Sequence, residues 1–289
     1  MPGSRTLLNL ALLLALAALA LVVVYEPGRD SAPAPAPITR LTPADIHHIQ
    51  LQRPGRADLT LERVDGQWRI AGTQAYPAAD FPVRSLLRLA STPALRHYPA
   101  GELDLGRIGL GEDASRVRFN QDTEIRFGAT DPLDDNRYVQ VGEQVSLIQN
   151  RFQHLLEGGI ESWISRRLLP PDRPIEAIEL PDLRLHKTGE GHWRAEPEPP
   201  GIASDALLAL VEHWRQAQAA AVQRHEGDGQ GDRVRIWLQG ADAPLEFRLQ
   251  EAGDDRLLIR PDLGLAYRLG AYRAAELLQL TPAAAPARP

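Results

Sequence analysis

Cysteine is absent from the 289 residues. That excludes disulfides, thiolate metal sites, a cysteine nucleophile and a lipid-modified lipoprotein N-terminus, and it leaves an exported chain to be stabilised by its core alone. Lysine is nearly absent as well: Lys187 stands alone against 31 arginines, and alanine is abundant. That bias reads as the coding preference of a GC-rich bacterial genome, not as phosphate recognition. A basic surplus is also lacking. The net charge is −6, and with Arg5 set aside 31 basic residues face 38 acidic ones, a net −7. A body of that sign gains nothing from approaching nucleic acid or anionic headgroups. The familiar catalytic signatures are missing too: no G-x-S-x-G, no S-x-x-K, no H-E-x-x-H, no zinc ribbon. Gly227–Gly231 is glycine-rich but precedes a strand, so it offers no helix N-terminus to a phosphate. No catalytic, cofactor-binding or metal-ligating residue is assigned, no cofactor is expected, and the chain is expected not to be an enzyme.

What is present begins with one uncharged run, Thr6–Tyr25, holding nine leucines, five alanines and three valines, with Asn9 its only strongly polar side chain. Twenty residues at helical rise span about 30 Å, the thickness of a bilayer's hydrocarbon core. The run predicts a single-pass anchor. Arg5 and the α-amine before it, against a near-balanced Glu26, Arg29 and Asp30 after it, place the N-terminus in the cytoplasm and the body in the periplasm of an inner membrane. A cleaved signal peptide is the competing reading, with Ala32-Pro33-Ala34 as a loose A-x-A site. The apolar run exceeds the usual length, and proline follows both Ala34 and Ala36, so an uncleaved anchor is expected. Residues 26–37 are Pro/Ala-rich and predict an extended, stiff tether.

From Ile38 the chain reads as one α+β unit written twice. The first unit, 38–169, opens on a strand near Ile46–Gln52 and a hairpin, Leu59–Val64 turning at Asp65-Gly66 into Gln67–Ala71. A helix follows with Asp80 as expected N-cap and Val83, Leu86, Leu87 and Ala90 on one face. Strands Arg116–Asn120, Glu124–Gly128, Arg137–Val141 and Gln144–Gln149 come next, the last two joined by Gly142-Glu143. Asn150 then caps a helix carrying Phe152, Leu155 and Leu156. The second unit, 170–281, repeats the order. Its strands are Ile175–Leu180, Leu183–Lys187 and His192–Ala195, then a helix capped by Ser204 with Leu207, Leu210, Val211 and Trp214 on one face. Strands Arg233–Gln239, Leu245–Glu251, Arg256–Arg260 and Leu265–Leu269 precede a last helix with Leu277 and Leu278, and residues 282–289 form a Pro/Ala-rich tail. The predicted class is α+β: an N-terminal transmembrane helix, then two similar, mostly antiparallel sheet-plus-helix repeats.

Gly66-Gln67-Trp68-Arg69-Ile70, Ile108-Gly109-Leu110, Ile125-Arg126-Phe127-Gly128, Arg137-Tyr138-Val139 and Arg166-Arg167-Leu168-Leu169-Pro170 occur in an order that resembles a bacterial family. It is the family of domain-of-unknown-function proteins with one N-terminal membrane helix and a duplicated α+β periplasmic body. The resemblance covers nearly the whole chain through packing and turn signals. It implies an envelope setting, since members are often encoded beside gliding-type ABC-transporter components, and it carries over no catalytic residues. The long tether and the loose turn at Gly227–Asp232 depart from the family pattern.

The remaining polar clusters are weighed against plain structural roles. His47 and His48 are adjacent, so a strand points them to opposite faces. His186 and His192 flank a hairpin turn and lack further ligands at a recognised spacing. The loops Asp131–Asn136 and Glu226–Asp232 are oxygen-rich but do not fit the calcium-loop frame. Trp68, Trp193, Trp214 and Trp237 fall on expected inward positions, and Trp163 on the junction between the units. The expected function is a membrane-held accessory or scaffold protein of an envelope complex, with ABC-transporter proteins as partners and no nucleic acid. The alternatives are a glycan- or peptide-binding module and an enzyme with a dispersed site.

Overall fold

The computed structural model describes residues 4–25, 35–72, 74–227 and 229–280. Of the tether expected at 26–37, residues 26–34 lie outside them, as does the whole tail expected at 282–289. Helix α1 (Ser4–Tyr25) coincides with the uncharged run. Among the described residues no helix is long and apolar enough to cross a membrane, and within α1 the described side chains run only from Asn9 to Ala20.

The body holds two antiparallel sheets with few helices. The first sheet takes β1 (His48–Gln52), β2 (Leu59–Val64), β3 (Gln67–Ile70), β4 (Tyr76–Pro77), β5 (Arg96–Pro99), β6 (Ser115–Phe119), β7 (Thr123–Thr130), β8 (Asn136–Val141) and β9 (Gln144–Gln149), with α2 (Asp80–Ala90) and α3 (Gln153–Leu156). The second takes β10 (Ile175–Leu180), β11 (Leu183–Lys187), β12 (Trp193–Glu196), β13 (Ala221–Arg224), β14 (Asp232–Leu238), β15 (Leu245–Ala252), β16 (Asp255–Arg260) and β17 (Leu265–Leu269), with α4 (Ser204–Arg215) and α5 (Ala271–Leu278). The strand orders run in parallel: β4-β3-β2-β1-β6-β7-β8-β9-β5 and β12-β11-β10-β14-β15-β16-β17-β13.

Local chemistry explains the hairpins. Val64 pairs with Gln67 across Asp65 and Gly66, whose φ values of +50° and +79° are the two left-handed conformations of a type I′ turn. Alternation does the rest. Ile49, Leu51, Val117, Phe119, Ile125, Phe127 and Val139 share one face of the first sheet, and Ile178, Leu180, Val234, Ile236 and Phe247 share one face of the second. Together with Leu86 of α2 and Trp214 of α4 they form one continuous core. The outer faces carry smaller clusters beneath crossing loops. Gly128 brings the Ile108 carbonyl oxygen to 2.5 Å from where a Cβ would stand, seating Leu110 on the first sheet. Gly229 does the same over Ile259 of the second, so the turn expected to be loose at Gly227–Asp232 is in part packed, and residue 228 lies outside the described residues.

Several expectations are corrected. Asp80 and Ser204 are the first residues of their helices. The N-caps are Ala79 and Ala203, which have no capping side chain, so Asp80 acts on α2 only through the helix dipole. Asn150 does not cap α3, whose N-cap is Phe152. Its amide oxygen instead accepts a 2.9 Å hydrogen bond from Arg137 Nε. Strands β4, β5 and β13 were not foreseen. Trp237 lies on the outer face of β14, between the buried Ile236 and Leu238, with the guanidinium groups of Arg184 and Arg235 at 5.8 and 5.5 Å from its ring.

The chain enters each sheet in the same way. Ile38 N–H donates to the Thr92 carbonyl and Ala94 N–H to the Ala36 carbonyl, at 2.9 and 3.0 Å. Leu168 N–H donates to the Ala217 carbonyl and Ala219 N–H to the Arg166 carbonyl, at 3.1 and 2.8 Å. Between those ties the second lead-in also closes the first sheet's edge beyond β4, where Ala78 bridges Ile164 and Ala79 N–H donates to the Trp163 carbonyl at 2.7 Å. Trp163 is buried there, at the junction where the sequence placed it.

Candidate functional site

Helix α2 borders two surface grooves. Its residues Val83, Leu86, Leu89 and Ala90 are buried, which leaves two flanks free. One flank, with Asp80, Val83, Arg84 and Leu87, forms a groove of about 410 Å³ against Arg63, Gln67 and Trp68 of the β2–β3 hairpin. Trp68 is half-buried, one side in the core and the other walling this groove. The strand alternation that makes it look like a core residue holds for half of its ring system.

The other flank carries Phe81, Ser85 and Arg88, at i, i+4 and i+7, and forms a groove of about 460 Å³ with Leu95, Arg151, Phe152 and His154. Phe81 is 63% and Leu95 48% exposed, high values for large apolar side chains. The Phe81 ring lies 5.3 Å from that of His154, so the floor is aromatic at one end. Arg88 and Arg151 stand on the walls. Among the described residues neither has a carboxylate within 4.0 Å. The groove thus combines apolar Phe81, Leu95 and Phe152 with polar Ser85, Ser91, Thr92 and Gln149, and is cationic at its edges.

The second sheet closes the comparable space with a helix of its own. Trp214 Nε1 of α4 donates a 2.8 Å hydrogen bond to the Leu277 carbonyl of α5, and His213 Nδ1 lies 3.2 Å from the Glu276 carbonyl. In the first sheet the helix after the last strand is only Gln153–Leu156, and Gly158, at φ +81°, follows it. Phe152 and His154, at the start of α3, form one wall of the groove.

The outer sheet faces carry a charge pattern that repeats. In the first, Arg118 lies opposite Glu124 and Arg116 opposite Arg126. In the second, Arg235 lies opposite Glu246 and Arg233 opposite Arg248. Glu124 meets Arg118 and Arg126 at 2.7 and 2.9 Å, and Glu246 meets Arg233 and Arg248 at 3.2 and 2.9 Å. Partial burial pushes the Glu124 carboxyl up, but the hydrogen bonds from Arg126 and Arg118 outweigh it and hold its pKa below the ordinary glutamate value.

The histidines are not gathered. His186 pairs with Arg194 in the hairpin register and lies 3.9 Å from Glu196, while His192 lies 3.8 Å from Glu190. His47 and His48 share a shallow hollow with Glu62 and Asn120. In the Asp131–Asn136 loop, Asp131 N–H donates to the Asn136 carbonyl as part of an ordinary turn. Among the described residues no three His, Cys, Asp or Glu side chains could hold a metal ion together.

Residues 68–226 match the family described as Domain of unknown function (DUF4340). The chain belongs to this family. The matched stretch runs from Trp68 through all of α2, the lead-in segment and α4 to the end of β13. It thus reaches into both sheets of this DUF4340 protein, leaving out β1, β2 and β14 to β17, and holds the whole Phe81 groove. No curated protein and no solved structure matches the chain.

Proposed function

We propose that the protein is a membrane-anchored accessory or scaffold subunit of an envelope complex, with α1 in the inner membrane, its N-terminus cytoplasmic and the duplicated body periplasmic. The observation that carries this reading is α1 itself. It is 22 residues long, about 33 Å at helical rise, and its leucines from Leu10 to Leu19 stand 58–69% exposed. Such a surface is stable only against lipid or another apolar helix. The shared strand order and the repeated arginine–glutamate pattern support one fold used twice, with domains at 38–169 and 170–281. The family resemblance adds ABC-transporter proteins as the expected partners.

The test is purification of the full chain from membranes in mild detergent. It should resist carbonate extraction and bring integral membrane proteins with it, and replacement of Thr6–Tyr25 by an unrelated apolar helix should reduce their recovery at least fivefold if α1 makes contacts of its own. Release by carbonate, or recovery of no membrane partner with either helix, would overturn the scaffold reading.

The Trp68 groove favours a second reading, a module for glycan or peptide. An aromatic face flanked by Arg63, Gln67, Asp80 and Arg84 is the mixture of apolar wall and convergent polar groups that such ligands need. In that case a soluble fragment from Ile38 onward keeps ligand affinity, and Trp68→Ala loses it.

A further inference from the structure

We infer that the groove between α2 and the β9–α3 junction is the seat of an amphipathic helix from a partner protein, one that brings acidic side chains to its edges. This deepens the scaffold reading and rests on it. Three observations converge. The groove follows α2 for three turns, from Phe81 past Arg88 to Thr92, a shape that suits a second helix more than a compact ligand. Its apolar residues are unusually exposed, Phe81 at 63% and Leu95 at 48%, so an occupant must present an apolar stripe. Its charges are of one sign: Arg88 and Arg151 border it without carboxylate partners among the described residues, in a body whose net charge is otherwise negative.

The second half of the molecule displays the kind of occupant expected. There α5 packs beside α4, burying Ala274 and Leu277 and meeting His213 and Trp214 through its backbone carbonyls. The first half has α2 in the place of α4 and, in the place of α5, only the single turn of α3, which packs beside α2 with Leu155 buried and His154 against Phe81. A partner helix would lie along α2 beyond that single turn, over Phe81 and Leu95. Its carboxylates pair with Arg88 and Arg151, which selects for charge as well as shape.

The absence of native cysteine makes the test direct. A single cysteine is placed on the exposed groove wall as Ser91→Cys in the full chain, labelled with benzophenone-maleimide in membranes, and irradiated. Asp182→Cys, in the exposed β10–β11 turn, serves as control. The expected result is an adduct with a different protein, mapping to a segment with apolar residues three and four apart and at least two Asp or Glu among them. A synthetic peptide of that segment should then bind the purified full chain, and the double variant Arg88→Glu/Arg151→Glu should weaken it at least tenfold. Both arginines are exposed, so circular dichroism should show this variant folded. An adduct to this chain itself, none above the Asp182→Cys control, or less than a twofold effect of charge reversal would overturn the proposal. Membrane partners that still co-purify with the full chain while Ser91→Cys yields no adduct would sink the groove alone and leave the scaffold standing.

Discussion

Trp214 and Trp237 show how far a single residue's role is written in its neighbours. Trp214 sits on the apolar stripe of α4, is fully buried, and gives its indole N–H to the Leu277 carbonyl. Trp214→Phe should leave that carbonyl unsatisfied and cost about 1–3 kcal/mol by urea denaturation, with faster amide exchange confined to α5. Helical spacing is unambiguous, so this position was legible. Trp237 was not: a strand has only two faces, and one residue of register decides which of them a side chain takes. Its aromatic character suggested the core, while its alternation with Ile236 and Leu238 puts it outside beside two arginines. Glu124 offers a pH test on the same kind of surface. Its folded pKa is lowered, so the stability it contributes is fully present above the unfolded glutamate value of about 4.3 and is lost as pH falls through the folded value. Glu124→Gln should therefore be less stable than the wild type above about pH 5, and the difference should shrink towards zero below about pH 4 in matched denaturant titrations.

At the scale of elements, what turn residues and alternation mark out in the sequence is found in space, and what is set by distant pairing is not legible in it. Turn residues such as Asp65-Gly66 announce the hairpins, so β2, β3, β8, β9, β10, β11 and β17 lie within a residue or so of their expected bounds. Strand β5 is Arg-His-Tyr-Pro and β13 is Ala-Val-Gln-Arg, too short and too polar to signal a strand. Each exists because β9 or β17 offers it a partner. The Phe81 groove was hidden for a related reason: its walls come from residues 81–95 and 149–154, joined only by the closure of the sheet. The repeated Arg-Val-Arg and Glu-x-Arg strands, by contrast, could have been found by comparing Arg116–Arg118 with Arg233–Arg235 and Glu124–Arg126 with Glu246–Arg248. The two lead-in segments make a prediction of their own. Ala94→Pro and Ala219→Pro each delete one N–H that ties a lead-in to its sheet, with bond lengths of 3.0 and 2.8 Å. Each should cost about 1–3 kcal/mol. Amide exchange should quicken at Ile38 in the first variant and at Leu168 in the second, not at both in either; equal loosening at both sites would mean that the ties are not separate devices.

For the whole molecule the lead-in to the second sheet matters more than its length suggests. Ser165 N–H donates to the Pro77 carbonyl at 2.8 Å and Ile164 bridges Ala78, while further on the Arg166 carbonyl accepts from Ala219 N–H and Leu168 N–H donates to the Ala217 carbonyl. One short segment is thus stitched to both sheets, and the buried side chains of Trp163, Ile164, Leu168 and Leu169 belong to the core that the sheets share. Full burial of each such side chain stabilises by roughly 1.5–3 kcal/mol. Trp163 and Ile164, whose backbones are tied to the first sheet, therefore supply a sizeable part of a typical domain stability of about 5–15 kcal/mol. Two consequences can be measured. The body from residue 36 to 280 should unfold in one transition, with fluorescence and circular dichroism curves coinciding. Of two fragments of the first half, 36–165 should be compact and show protected amides in β1 and β6, whereas 36–162, lacking Trp163 and Ile164 at the β4 edge, should not. Two separate transitions in the whole body, or equal folding of both fragments, would show that the segment only links the sheets.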